Sequence, residues 1–119
     1  MTVLVSIRFH VDEADAEAFL AEAHRILLLL AAQSGHVRGS VARAVDDRTR
    51  WLMSLQWVDV GAYRRALGAY DVKVVTTPLL SRALDEPSAY EILAGDGATP
   101  ATPPNRVEPR GGGSGQTVA

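Results

Sequence analysis

VLVSIRFHV, residues 3–11, is the stretch whose reading decides the fold. Val3, Val5, Ile7, Phe9 and Val11 are apolar at every second position, and Ser6, Arg8 and His10 stand between them. Side chains of a strand alternate between its two faces, so this spacing predicts a strand with one buried face and one open face. Asp12 follows at the position of a helix N-cap, with Glu13 and Asp15 in the first turn, where the helix dipole favours negative charge. The period then lengthens. Ala16, Phe19, Leu20, Ala23, Ile26, Leu27 and Leu30 form a helical stripe over residues 13–33, and Gly35 is the expected stop. Leu27 to Leu30 carry apolar surface further round the helix than one stripe needs. The end of this helix is therefore expected to be covered on two sides, by a neighbouring element or a second subunit.

Working outward, His36–Val45 reads as a second strand and Asp46-Asp47-Arg48 as a hairpin loop. Arg50–Val58 is a third strand, with Trp51, Met53, Leu55 and Trp57 sharing one face. Val60–Leu67 reads as a short helix capped by Asp59 and ended by Gly68. Asp71–Leu84 reads as another helix, with a break or a fresh start expected near Thr77 because Pro78 removes a backbone donor. Asp85-Glu86-Pro87 is a turn, and Ser88–Leu93 is the last strand. The order is βαββαβ. It predicts an α+β fold of the ferredoxin-like kind, a four-stranded antiparallel sheet with its helices on one face. The other sheet face would be bare in a single chain, and face-to-face dimerisation is a simple way to cover it.

Residues 95–119 hold six of the ten glycines and four of the six prolines, with Val107 and Val118 their only large aliphatic residues. Such a segment buries too little apolar surface to offset its ordering entropy. The expected organisation is a folded domain over 1–94 and a disordered Gly/Pro-rich tail over 95–119. With 119 residues, 47% apolar, 22% charged and a net charge of −2, the chain has the balance of one globular domain. That charge argues against a nucleic-acid or anionic-membrane partner. The absence of cysteine excludes disulfides, thiolate metal sites and a cysteine nucleophile. Histidines at 10, 24 and 36 are too dispersed to suggest a metal site, and no metal or other cofactor is expected. The N-terminus lacks the pattern of a signal peptide, and the longest apolar run, Ile26–Ala32, is far short of a membrane span, so the expected location is the cytoplasm.

Three stretches carry a resemblance to a known family: LMSLQWVDVGAYRRAL at 52–67, YDVKVVTTPLLSRAL at 70–84 and EPSAYEIL at 86–93. In order and spacing the chain, over residues 2–94, resembles the antibiotic biosynthesis monooxygenases, small dimeric α+β barrel proteins. The resemblance implies a homodimer in which two sheets form a barrel, each subunit keeping its own pocket between sheet and helices. Some members oxidise electron-rich anthrones and quinols with molecular oxygen and without metal or flavin; others degrade haem. Haem-degrading relatives use an asparagine on the first strand and a histidine in the second helical region. Here the matching strand face carries Val3, Val5, Ile7 and Phe9, and no histidine lies in 71–84, so haem degradation is disfavoured. Anthrone-oxidising relatives place an asparagine four residues before a tryptophan, and a tyrosine six residues after it. Trp57 and Tyr63 match the last two; Met53 stands in the asparagine's place.

The expected function is thus a cofactor-independent, monooxygenase-like oxidation of a small electron-rich aromatic, of anthrone or quinol type. A non-catalytic small-molecule-binding dimer of the same fold is the alternative. It is favoured by Ile7 and Met53, which stand at pocket-lining positions where relatives carry polar groups. Trp57 and Tyr63 are the candidate catalytic residues, because an indole N–H and a phenol can donate to a substrate oxyanion. The plain alternative for both is core packing. Tyr70 is a further candidate for substrate binding. Arg82 could hold a substrate anion, or simply form a salt bridge near a helix end. His24 is the candidate base at the pocket edge. Arg8 and His10 are expected to form a dimer salt bridge, with Glu91 as a suggested carboxylate. His36 is expected to be exposed.

Overall fold

The computed structural model describes residues 1–96. Strand β1 is Val3–His10, with Val3, Val5, Ile7 and Phe9 buried as the alternation requires. A single 3-10 turn at Glu13–Asp15 precedes helix α1, Ala16–Ala31. The expected helix over 13–33 is therefore shorter at both ends. Asp12 starts the 3-10 turn without lending its side chain as a cap. Phe19, Ala23, Ile26 and Leu30 form the buried stripe of α1, while Leu20 is exposed. The leucine run is not covered on two sides within one chain: Leu27 and Leu29 pack at the core margin and Leu28 faces outward.

Strand β2, His36–Arg43, and strand β3, Arg50–Trp57, form the central hairpin. Helix α2 is Val60–Gly68, helix α3 is Tyr70–Leu80, and strand β4 is Ala89–Glu91. The four strands are antiparallel in the order β2-β3-β1-β4. This is the expected ferredoxin-like α+β fold. Register places Val5 opposite Leu55, Ile7 opposite Met53 and Phe9 opposite Trp51, so the buried halves of β1 and β3 make one continuous floor. Phe19 of α1 seals it edge-on against both Phe9 and Trp51, at centroid distances of 5.1 and 5.3 Å.

Two glycines set how closely the layers approach. Gly35 has a φ of +90°, a conformation that any side chain would strain, and a Cβ there would collide with Ala62 of α2. A Cβ on Gly39 would lie 2.7 Å from a terminal methyl of Leu27 and 2.8 Å from one of Leu55, so both leucines would have to shift to admit it. The expected helix break near Thr77 is absent. Helix α3 runs through Pro78 and ends at Leu80, four residues before the expected Leu84. Pro78 lies in the last turn, where only one donor is lost. Neighbouring hydroxyls bind carbonyls there: Thr77 Oγ1 donates to the Lys73 carbonyl at 2.6 Å and Ser81 Oγ to that of Pro78 at 2.9 Å. The expected disordered tail lies, from residue 97 onward, outside the described residues.

Candidate functional site

Asp59 fixes the entry of α2. Its carboxylate accepts the Ala62 backbone N–H at 2.7 Å, which is the predicted N-cap. Ala62 and Ala66 form the buried side of α2, and their small side chains let the helix lie close to the sheet. That placement brings Tyr63 over the end of β3. Its ring lies 5.7 Å from that of Trp57, tilted by 47°. Trp57 is fully buried, and its indole N–H has no partner among the described residues. Trp57 thus supports Tyr63 from beneath.

Tyr63 lines a cleft of about 130 Å³ between the sheet and the segment that follows α3. Ile7 is also in its lining; Leu80, Ala83 and Leu84 supply the apolar wall, and Arg8, Glu86 and Ser88 the polar rim. The 83–88 segment is tied to the edge of β1. Leu84 N–H donates to the Arg8 carbonyl at 2.9 Å and Ser6 N–H to that of Ser88 at 2.7 Å. Arg8 adds a two-point ion pair, Nε to Glu86 Oε2 and Nη2 to Oε1, each 2.7 Å. This pairing holds the Glu86 carboxyl below the usual carboxylate range and raises the Arg8 guanidinium further. Tyr63 behaves differently: burial alone pushes its phenol above the ordinary tyrosine range. Its hydroxyl makes no hydrogen bond to a described residue, so at neutral pH it is a protonated donor available to a ligand.

Of the predicted site residues, the structure brings Ile7 and Tyr63 into one cleft, with Trp57 directly behind. Met53 is in the core beneath, almost fully buried between its register partners Ile7 and Val41, and does not line the cleft. Three further placements need correction. His24 is exposed on α1, next in sequence to the buried Ala23 and so about 100° round the helix from it. Tyr70 is 83% exposed at the start of α3. Arg82 lies outside the cleft, over the Phe19 ring at 5.4 Å and 3.7 Å from Glu22, because α3 ends before reaching it. Within one chain Arg8 pairs with Glu86, and Glu91 lies in register with Val3, on the opposite sheet face from Arg8. His10 pairs instead with Asp12, at 3.3 Å.

One residue was misread as exposed. His36 is half-buried, pairs in register with Trp57, and meets its ring edge-on at 5.1 Å. Its Nε2 is buried without a partner among the described residues, and desolvation lowers its pKa from the ordinary 6.5. The signal for this was cross-strand pairing, which a single sequence does not display. Among the described residues no group of three or more His, Asp or Glu side chains could hold a metal ion. No helix among them is long and apolar enough to cross a membrane.

The family pattern described as antibiotic biosynthesis monooxygenase matches residues 2–75, from β1 through the middle of α3. The chain belongs to that family. The match covers the first of the three stretches that carried the resemblance and part of the second; 86–93 lies beyond it. No curated protein matches the chain. Among solved structures, SnoaB, a cofactor-independent oxygenase from Streptomyces nogalater, is 28% identical with a TM-score of 0.67, over 79% of this chain and 95% of that one. Two more distant structures share the fold of this monooxygenase-family chain. A conserved protein from Methanosarcina mazei is 18% identical, with a TM-score of 0.64, over 76% of this chain and 91% of its own. Rv0793 from Mycobacterium tuberculosis is 14% identical, with a TM-score of 0.65, over 80% and 98%.

Proposed function

We propose that this protein is a cofactor-independent oxygenase of small electron-rich aromatics of the anthrone or hydroquinone type, acting as a homodimer in the cytoplasm. The observation that carries this reading is Tyr63: a desolvated, protonated phenol without a partner among the described residues, lining a cleft and backed by the buried Trp57. The similarity to SnoaB, an oxygenase that needs no cofactor, supports it. A substrate of this class supplies its own electrons. Loss of a proton gives a stabilised anion, which passes one electron to dioxygen. The radical pair recombines to a hydroperoxide, and loss of water leaves a new carbonyl. Tyr63 stabilises the developing oxyanion by donating its hydroxyl proton in a hydrogen bond. Trp57 holds the Tyr63 ring in place as a positioning residue.

The second reading, a non-catalytic small-molecule-binding dimer, draws on the lack of a free base in the cleft. Its carboxylate, Glu86, is committed to Arg8, and Met53 stands where anthrone-oxidising relatives carry an asparagine. Oxygen uptake separates the two. With a panel of anthrones and hydroquinones, consumption above the spontaneous rate that falls in Trp57→Phe supports the oxygenase. Saturable binding with uptake at the spontaneous rate supports the binding protein.

A further inference from the structure

We infer that His36 is a positioning residue of the Tyr63 cleft: within the reading of Tyr63 as the group that meets the ligand, on which this rests, the His36 ring buttresses Trp57 beneath Tyr63 and leaves that place when it takes up a proton. Three rings are linked in succession. His36 of β2 meets Trp57 of β3 edge-on, with centroids 5.1 Å apart and planes at 87°. Trp57 meets Tyr63 of α2 at 5.7 Å and 47°. Tyr63 lines the cleft; His36 and Trp57 do not. A shift of the first ring therefore reaches the cleft only through the second.

The backbone at His36 is held by three elements. Its N–H donates to the Gln33 carbonyl at 3.3 Å, just past the end of α1. The Gly35 carbonyl accepts the Val58 N–H at 2.9 Å at the end of β3, and Gly35 itself lies against Ala62 of α2. Register then sets His36 opposite Trp57. The other tryptophan on this face of β3 is held differently. Trp51 has Phe19 edge-on at 5.3 Å and the Arg43 guanidinium over its ring at 5.3 Å. Neither of those neighbours changes charge near neutral pH, whereas a histidine does.

The His36 side chain stands between water and the interior. It is half-buried, yet its Nε2 is fully buried and has no partner among the described residues. A neutral imidazole tolerates that place; an imidazolium brings a charge and two donors to satisfy. The groups around it offer no counter-charge. From β3 comes the Trp57 ring, and from the end of α1 the Gln33 carbonyl, already bonded to backbone. Helix α2 carries Tyr63, which is protonated, and its cap Asp59, whose carboxylate is engaged by the Ala62 N–H. Burial accordingly lowers the His36 pKa with no charge effect beside it. Protonation is relieved by turning the ring out to solvent, and Trp57 loses its edge-on support. The buttress is in place above 6.5 and is lost as pH falls through the lower folded value.

The test uses the full chain, labelled with ¹⁵N, and follows the Trp57 indole N–H signal, assigned by its loss in Trp57→Phe. Between neutral pH and about pH 5 that signal should move with the same midpoint as the His36 ring, and it should stay still in His36→Gln. Calorimetry with 4-methoxyphenol, an uncharged probe, then reads the cleft, and oxygen uptake with anthrones and hydroquinones reads turnover. His36→Gln, which lacks the ring, should weaken probe binding by about tenfold at neutral pH. His36→Phe keeps a ring edge and takes up no proton. It should bind within about twofold of wild type and lose the acid-side fall in affinity that wild type shows. If His36→Gln does not fold, the wild-type titration and His36→Phe decide. A Trp57 signal that stays fixed while the His36 ring titrates overturns the inference, as does a folded His36→Gln that binds the probe as tightly as wild type. Affinity that tracks His36 without any oxygen uptake keeps the inference and sinks the oxygenase reading. Wild-type protein that does not bind the probe overturns both the role of Tyr63 toward a ligand and that of His36 behind it.

Discussion

Tyr63 and His36 flank Trp57 and ask different things of it. The Tyr63 hydroxyl has no described protein partner, so its removal costs the fold little, whereas a ligand in the cleft loses a donor. Tyr63→Phe should therefore leave the melting temperature nearly unchanged and lower the rate of aromatic-dependent oxygen uptake by about 10–100-fold. A fall in stability larger than about 1 kcal/mol would show that the hydroxyl is part of the core instead. Trp57 was readable from the sequence as a large residue closing a strand; that its indole nitrogen is buried and unpartnered was not, because that depends on what α2 and β2 place around it. His36 gives a pH prediction. Burial lowers its pKa in the folded state below the ordinary 6.5, so the unfolded chain binds more protons below that value. The contribution of neutral His36 is fully present above pH 6.5 and is lost as pH falls toward the lower folded value. Denaturant titrations of wild type and His36→Gln at stepped pH should show a steeper acid-side decline in the wild type. Parallel curves would mean that His36 stays wet.

Elements were legible wherever one periodicity ruled, and misread where a boundary depended on tertiary contacts. Strand β1 follows its alternation over its whole length, and α2 follows its cap. The end of α3 did not show, because Pro78 in a last turn and Pro78 in mid-helix look alike in the chain. That error carried Arg82 into a helix it does not join, and so into a site it does not reach. The cleft itself is made by 83–88, a segment with no period to read; the Arg8–Glu86 pair that fastens it spans 78 residues. Among the elements, α2 matters most to function, since it carries Tyr63. Asp59→Ala removes its cap and should cost about 1 kcal/mol. The first turn holding Tyr63 would loosen with it. Ligand affinity should therefore fall along with stability, and Asp59→Asn, which keeps an accepting oxygen, should restore both. Loss of stability with affinity intact would show that the Tyr63 ring is held by Trp57 alone.

All three helices lie on one side of the sheet, so the molecule as described has a bare face. On it Leu4 is 36% exposed and Tyr90 50% exposed. Leu4 and Tyr90 share one row, and the next row along the strands is of small residues, Ser6 opposite Ser54 and Ser54 opposite Ser40. Short side chains across three strands allow another surface to approach closely, and the flanking Leu4, Leu52 and Tyr90 supply apolar area for it to cover. A sheet that packs against nothing is a poor solution for a domain of this size, because half of its side chains contribute no burial. The occupant proposed here is the same face of a second copy, related by a two-fold axis, so that one patch serves both sides of the contact. Light scattering on the purified chain should then give about twice the 12.7 kDa chain mass at micromolar concentration. Ser54→Arg places a long charged side chain at the centre of the bare face without touching the buried one. It should return the mass to that of one chain while leaving the far-ultraviolet spectrum unchanged. The Tyr63 cleft lies on the helix side, yet Arg8 projects from the bare face and fastens the 83–88 strap from there. Dimerisation would therefore bury the ion pair that closes the cleft and strengthen it by removing water. The monomeric variant should hold its aromatic ligand more weakly than the wild type, and the difference should widen with added salt, which screens the pair only where it is exposed. Equal affinity in monomer and dimer would show that the strap is closed by its backbone bonds and owes nothing to the second chain.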